Sequence, residues 1–307
     1  MSEVTVADVE RAARRIAGRV RRTPVVEGPP GLVYKLEFLQ HAGSFKARGA
    51  FNRILAAREA GEPGPAGVIA ASGGNHGLAV AYAARALGVR AEIFVPEVTG
   101  PVKVGGLRDL GAHVTRTGAV YSDALLASRK RAAESGALEI HAYDHPHVIA
   151  GQGTLGAELL EQTGGVDTVL VAVGGGGLIG GVTLAVAGRA KVVAVEPRLC
   201  PTLHEALAAG RPVDVPVGGV AADALGATRL GELAFSIVRD RVESVLVEDD
   251  AIAEARRELW RTHRIAVEPA GATALAAVTA GAYTPAPGER VAVILCGANT
   301  DPATLLA

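Results

Sequence analysis

Val9, Ala13, Ile16 and Val20 recur at helical spacing near the start of the chain, opposite Arg11, Arg14, Arg15 and Arg22. Thr5, with Asp8 three residues on, has the form of a capping box for that helix. Beyond Pro24 the pattern changes, and short β-branched runs alternate with amphipathic stretches rich in Ala, Leu, Arg and Glu. The runs predict strands at Val33–Leu36, Val68–Ala71, Ala91–Val95, Leu138–Ala142, Thr168–Val173, Val192–Val195, Val242–Val247 and Val291–Leu295. Strands that alternate with helices predict an α/β fold built from βαβ units around a mostly parallel sheet.

Two interruptions divide this rhythm. Gly61-Glu62-Pro63-Gly64-Pro65 reads as a hinge, and Asp144-His145-Pro146 breaks the chain again. Residues 66–143 then form a smaller domain inserted into a larger one made of residues 1–65 and 144–307. A cleft between two such domains is a common place for a ligand.

Composition narrows the partners. The chain of 307 residues is 49% hydrophobic and 21% charged, with a net charge of −1. Charges so nearly balanced leave no electrostatic footprint for nucleic acid or an anionic membrane. A small molecule or another subunit is the expected partner. Cys200 and Cys296 stand far apart, outside any zinc or disulfide spacing. No signal peptide is visible after Met1, and apolar runs such as Val169–Val173 are too short to span a bilayer. A cytoplasmic location is expected.

Four segments carry candidate chemistry. Lys46, in Ser44-Phe45-Lys46-Ala47-Arg48, opens a helix-like run two residues after a candidate Ser44 cap. The plain alternative is a surface lysine. A fixed positive charge there faces the positive end of the helix dipole, whereas a neutral amine does not suffer from it. Ser72-Gly73-Gly74-Asn75-His76-Gly77 joins a buried strand to a helix. Its side chains and free N–H groups suit a carboxylate, although a tight turn with an Asn cap has the same form. Gly174, Gly175, Gly176 and Gly177 follow another strand. Four glycines lose much backbone entropy on ordering, but their N–H groups can form a nest for a phosphate. Gly175, Gly177 and Gly180 also fit a dinucleotide loop, with Glu196 as a ribose-binding acid. Cys296, at the end of the last strand, is either a small buried hydrophobe or a thiol offered to a ring nitrogen.

In this order the segments resemble the serine/threonine dehydratase family of fold-type II pyridoxal-phosphate enzymes. The resemblance runs from Arg22-Thr23-Pro24 and Lys35-Leu36-Glu37 through Gly151-Gln152-Gly153-Thr154 to Glu268-Pro269-Ala270-Gly271-Ala272 and Cys296 to Asn299. It implies a two-domain fold of the tryptophan synthase β-like class, with pyridoxal 5'-phosphate as cofactor. Lys46 would be the Schiff-base lysine and the base at Cα, and Phe45 would pack near the pyridine ring. Asn75 would bond the 3-oxygen of the ring. Ser72, Gly73, Asn75 and His76 would bind the substrate carboxylate, Ser72 also taking a catalytic part. Gly174 to Gly177 would cradle the phosphate, and Cys296 would face the pyridine nitrogen. A neutral thiol there leaves the nitrogen unprotonated, which favours expulsion of a β leaving group over transamination.

The implied activity is dehydration and deamination of L-threonine or L-serine by a homo-oligomer, with a homodimer expected. On the same site, a serine racemase and a 3-hydroxyaspartate dehydratase are the rivals. A nicotinamide-dependent oxidoreductase and a catalytically silent carrier of the cofactor are the rivals of other kinds. Racemases of this type carry a second serine after the one matching Ser72, where this chain has Gly73. Ala224 replaces a usual glycine, and Phe38 stands where an amide or acid is common. Thr202 stands six residues after Glu196, where metal-binding relatives have an acid, so no divalent site is expected. The chain ends soon after Cys296, which implies a form without an appended regulatory domain.

Overall fold

The computed structural model describes residues 3–62 and 64–305. Met1 and Ser2, at the start where no signal peptide is expected, and Pro63, in the predicted hinge, lie outside the described residues. Ten strands occur among the rest. They are β1 (Val25–Glu27), β2 (Leu32–Lys35), β3 (Val68–Ala71), β4 (Ala91–Val95), β5 (His113–Arg116), β6 (Leu138–Glu139), β7 (Thr168–Ala172), β8 (Lys191–Pro197), β9 (Val242–Val247) and β10 (Val291–Ile294). One sheet has the order β1-β2-β10-β7-β8-β9 and the other β5-β4-β3-β6. Among the strand pairs only β1 and β2 run antiparallel and the other pairs are parallel; isolated antiparallel bridges join Ser44 to Gly297 and Asp214 to Arg229.

Most of the predicted strands fall where the buried runs are, although β9 forms at Val242–Val247 with only Val247 buried. β7, β10 and the centre of β8 are buried throughout, because helices cover both faces of a parallel sheet. The hydrophobic pattern missed β1 and β5, which are three and four residues long and half exposed. Leu138–Ala142 shrinks to the two residues of β6, because the chain leaves the sheet after Glu139. The first helix, Val6–Ile16, buries Val9, Ala12 and Ile16, and Ala13 faces solvent. Val20 lies beyond its end, past Gly18 at φ +71°. Asp8 reaches back to the Thr5 N–H at 2.9 Å, as a capping box requires.

All strands of the four-stranded sheet lie within residues 66–143. Its core, however, includes Ile16 and also Ala47, Ala50, Phe51 and Ile54 of the helix Lys46–Glu59. That helix therefore packs on the smaller sheet while its first residue faces the larger one. It also crosses the helix Pro146–Thr163, where a Cβ on Gly151 would lie 2.7 Å from the Arg48 carbonyl oxygen. On the other side of that helix a Cβ on Gly153 would sit 2.7 Å from the Gly181 oxygen of the helix Gly177–Val186. The Gly151-Gln152-Gly153 sequence thus lets three helices approach closely. This contact sets the lysine and the four-glycine turn on facing walls of one cleft.

Candidate active site

β3, β7 and β10 end at this cleft, and each hands the chain to one of the segments singled out above. A single cavity is lined by Phe45, Lys46, Asn75, Tyr143, Gly174 to Gly177, Glu268 and Cys296, among others. It gathers side chains from separate stretches of sequence.

Lys46 is the first residue of its helix, and Phe45 is the N-cap. Ser44 does not cap it: the hydroxyl is buried with no partner among the described residues. The Phe45 N–H instead donates to the Cys296 carbonyl at 3.1 Å, tying the helix start to the end of β10. The Lys46 ammonium donates to the Ala142 carbonyl at 2.7 Å and lies 5.1 Å from the centre of the Phe45 ring. Burial pushes its amine down to about 8, against the opposing pull of Cys296 and Glu268. The depressed basicity expected from the helix dipole is present, with burial as its main cause. A lysine so placed is partly neutral near physiological pH, as a nucleophile or base needs to be.

Two residues on, Arg48 anchors the helix in a buried ionic network. Its Nε meets Glu37 Oε1 at 2.5 Å, and its Nη1 meets Glu158 Oε2 at 3.0 Å. Lys35 bonds the other Glu158 oxygen at 2.5 Å and also donates to the Thr23 carbonyl and to Gln162. Thr23 Oγ1 completes the set by donating to Glu37 at 2.7 Å. Burial raises Glu158, but Arg48 and Lys35 outweigh it and hold the carboxyl below its usual range. The Arg22-Thr23-Pro24 and Lys35-Leu36-Glu37 segments meet here, outside the cavity.

The four-glycine turn forms the facing wall. The N–H groups of Gly174 to Leu178 have no protein acceptor among the described residues, and the helix Gly177–Val186 begins within the turn. A Cβ on Gly175 would overlap the Tyr143 ring, and Gly176 has φ +92°. Bare backbone is therefore needed on both counts. A nest of free N–H groups at a helix start fits a phosphate dianion. Gly175→Val should drive the Tyr143 ring out of place and lower affinity for a phosphorylated ligand by about tenfold or more. Titration of the folded variant with pyridoxal phosphate checks this, and an unchanged affinity refutes the cradle.

The dinucleotide reading fails at Glu196. Its carboxylate is fully buried and accepts from the backbone N–H groups of Leu203 at 2.7 Å and His204 at 2.8 Å. Thr202 Oγ1 lies 3.1 Å from the same carboxylate and donates to the Gly174 carbonyl at 2.7 Å. Glu196 has no freedom to reach a ribose; it braces the glycine turn from behind. No group of three or more His, Cys, Asp or Glu placed for a metal occurs among the described residues.

The Ser72–Gly77 turn is only partly as expected. Asn75 begins the helix Asn75–Ala86 and Gly74 is its cap, so the Asn side chain is free for other work. Its Nδ2 donates to Glu268 at 2.6 Å, and its Oδ1 accepts from Asn299 at 2.6 Å. Ser72 Oγ accepts from the Gly74 N–H at 3.2 Å. The His76 imidazole is buried against the Ile140 carbonyl at 2.8 Å, and burial pushes it down to about 3. That ring is not a carboxylate ligand; only the backbone N–H of His76 stays available. Ser72, Gly73 and His76 lie outside the cavity that holds Lys46.

Cys296 is buried, with Sγ 3.4 Å from the Ala270 carbonyl, and burial pushes its thiol far up. It is a neutral group on the cavity wall. Sequence reasoning missed Ala142 and Tyr143, whose loop after β6 has no motif to mark it. Glu268 was seen as part of a motif but was given no task.

A lysine of lowered basicity, facing an anion nest across an enclosed cleft, defines a class of enzyme that holds a phosphorylated carbonyl cofactor. The chain belongs to the pyridoxal-phosphate dependent enzyme family, whose match extends over residues 16–297. It is 40% identical to the L-threonine ammonia-lyase of Geobacter sulfurreducens over 309 residues, spanning 97% of this chain and 76% of that one. Among solved structures, it is similar to maize serine racemase, with a TM-score of 0.92 and 34% identity over 99% of this chain and 96% of that one. It is also similar to the serine racemase of Dictyostelium discoideum, with a TM-score of 0.89 and 32% identity over 98% and 100% of the two chains. The cofactor is pyridoxal 5'-phosphate.

Proposed function

We propose that the chain deaminates L-threonine or L-serine, expelling the β-hydroxyl as water and releasing ammonia with 2-oxobutyrate or pyruvate. The observation that carries the proposal is Lys46, of lowered basicity, in one cavity with the glycine nest and the neutral Cys296 thiol. Lys46 would hold the cofactor, and Gly174 to Gly177 its phosphate. Phe45 and Cys296 would border the ring, and Asn75 would donate to its 3-oxygen. Bound pyridoxal phosphate supplies the electron sink that acidifies the Cα proton of an amino acid. The Lys46 amine takes that proton, and its low basicity leaves it free to do so near neutral pH. The Cys296 thiol keeps its own proton and can offer the ring nitrogen only a neutral hydrogen-bonding partner. Ser72, the Gly73 turn and the N–H groups of Asn75 and His76 would bind the substrate carboxylate at the rim.

Elimination is favoured over racemisation by Gly73. Inversion at Cα needs an acid on the face opposite the lysine, and Gly73 carries no hydroxyl. A Cβ there would lie 3.0 Å from Thr99 Cγ2, so a serine would need the Thr99 side chain to give by a few tenths of an ångström. Incubation with L-serine should yield pyruvate and ammonia, with D-serine a trace product in chiral analysis. D-Serine formed as fast as pyruvate would refute this reading and favour a racemase. Among the described residues no helix is long and apolar enough to cross a membrane. We further propose a cytoplasmic homodimer whose smaller domain comprises residues 66–143 together with the packed helix Lys46–Glu59.

A further inference from the structure

Glu268 is the only carboxyl side chain on the wall of the cavity, among the described residues, and the proposed chemistry leaves it idle. It is the N-cap of the helix Pro269–Thr279, a position from which a side-chain acceptor can bond its own helix. This one makes no such bond. Its Oε1 accepts instead from Asn75 Nδ2 at 2.6 Å, reaching across the cleft to the turn after β3. Asn75 Oδ1 accepts from Asn299 Nδ2 at 2.6 Å, and that same nitrogen donates to the Ala42 carbonyl at 2.8 Å. A carboxyl oxygen on one side and an amide donor on the other leave the Asn75 amide a single orientation. Its second N–H stays unspent, on a residue that lines the cavity. A side chain on Gly297 would overlap the Glu268 carboxyl, so the space for this arrangement is made by a bare glycine.

We propose that Glu268 is a positioning residue that fixes the Asn75 amide toward the 3-oxygen of the cofactor and carries an exchangeable proton next to it. The inference rests on the cofactor reading above. Burial, with help from Asp223, pushes the Glu268 carboxyl up to about 7, and the bonds from Asn75 and the Asn299 backbone oppose that rise. The charged or titratable groups facing it are Lys46 and Cys296 within the cavity, Arg256 of the helix Asp249–His263, which donates to the neighbouring Val267 carbonyl, and Asp223 and Lys103 at its mouth. Asp223 raises the carboxyl and Lys103 lowers it. The hydrogen bond that Asn75 offers the ring therefore changes as Glu268 gains or loses its proton near neutral pH.

The test is a pH titration of the visible absorption of the holoenzyme. Wild type should show a spectral step near the pH at which Glu268 titrates, and Glu268→Gln should lack it while binding pyridoxal phosphate within about threefold of wild type. Glu268→Ala, which leaves the Asn75 amide held by Asn299 alone, should bind it about tenfold more weakly. Two substitutions at the mouth extend the test without touching the pair. Asp223→Asn should move the step to lower pH, and Lys103→Gln should move it to higher pH. A purely structural role would weaken binding in the Glu268 variants alike and leave the titration unmoved. Superimposable titrations of wild type and Glu268→Gln, or a step that ignores both mouth substitutions, would overturn the proposal. A wild-type protein that binds no cofactor at all would overturn the reading beneath it.

Discussion

Lys46→Ala is expected to lower kcat for elimination by about 10⁴-fold or more, while the protein stays folded. Positioned proton transfer alone contributes up to about 10⁴-fold, and this lysine is also the proposed point of covalent attachment. The substitution removes one bond, from Nζ to the Ala142 carbonyl, and leaves Phe45 and the helix start tied to Cys296. The fold therefore has little reason to fail. Steady-state assay of 2-oxo acid release, with circular dichroism as a control for folding, makes the comparison. Turnover within tenfold of wild type would remove Lys46 from the mechanism.

The second large effect concerns stability. Arg48→Met should destabilise the protein by about 3–5 kcal/mol, because it strands a buried carboxylate. Glu37 is 0% exposed and Arg48 1%, and Glu37 keeps only Thr23 Oγ1 as a side-chain donor once Arg48 is lost. The double change Arg48→Met with Glu37→Leu should recover part of the loss, since the carboxylate stranded at Glu37 is then gone. Denaturant unfolding of the single and double variants measures both. A single variant within about 1 kcal/mol of wild type would mean that water reaches the network, much as it does for an exposed ion pair.

The sequence made the architecture legible wherever burial was continuous. β7, β8 and β10 carry runs of valine, leucine and alanine because both of their faces are covered, and such runs stand out against amphipathic helices. β1 and β5 were invisible for the opposite reason, being short and half exposed. The candidate site was legible where a turn has to be made of glycine. Gly174 to Gly177 are positions where backbone must come close to something else, and that demand is written in the residue type. Lys46 was legible from its place in a motif at a helix start. Its altered basicity comes mainly from burial, which only the folded chain reveals.

Tertiary partners were not legible. Nothing in Asn75 announces that it bonds Glu268, which lies 193 residues away in sequence. Nor does Glu196, read in isolation, announce that its carboxylate is spent on two backbone N–H groups. The dinucleotide alternative depended on that carboxylate being free, and local spacing could not decide the point. His76 shows the same limit: a histidine inside a functional turn proves to be a buried strut between that turn and the segment after β6.

The central claim is that pyridoxal phosphate is held through Lys46. Reduction of the wild-type holoenzyme with borohydride, followed by peptide mapping, tests it directly. The account predicts one phosphopyridoxyl group, on the peptide containing Lys46. A group fixed on Lys35, Lys103 or another lysine, or none at all on a protein saturated with the cofactor, would contradict it.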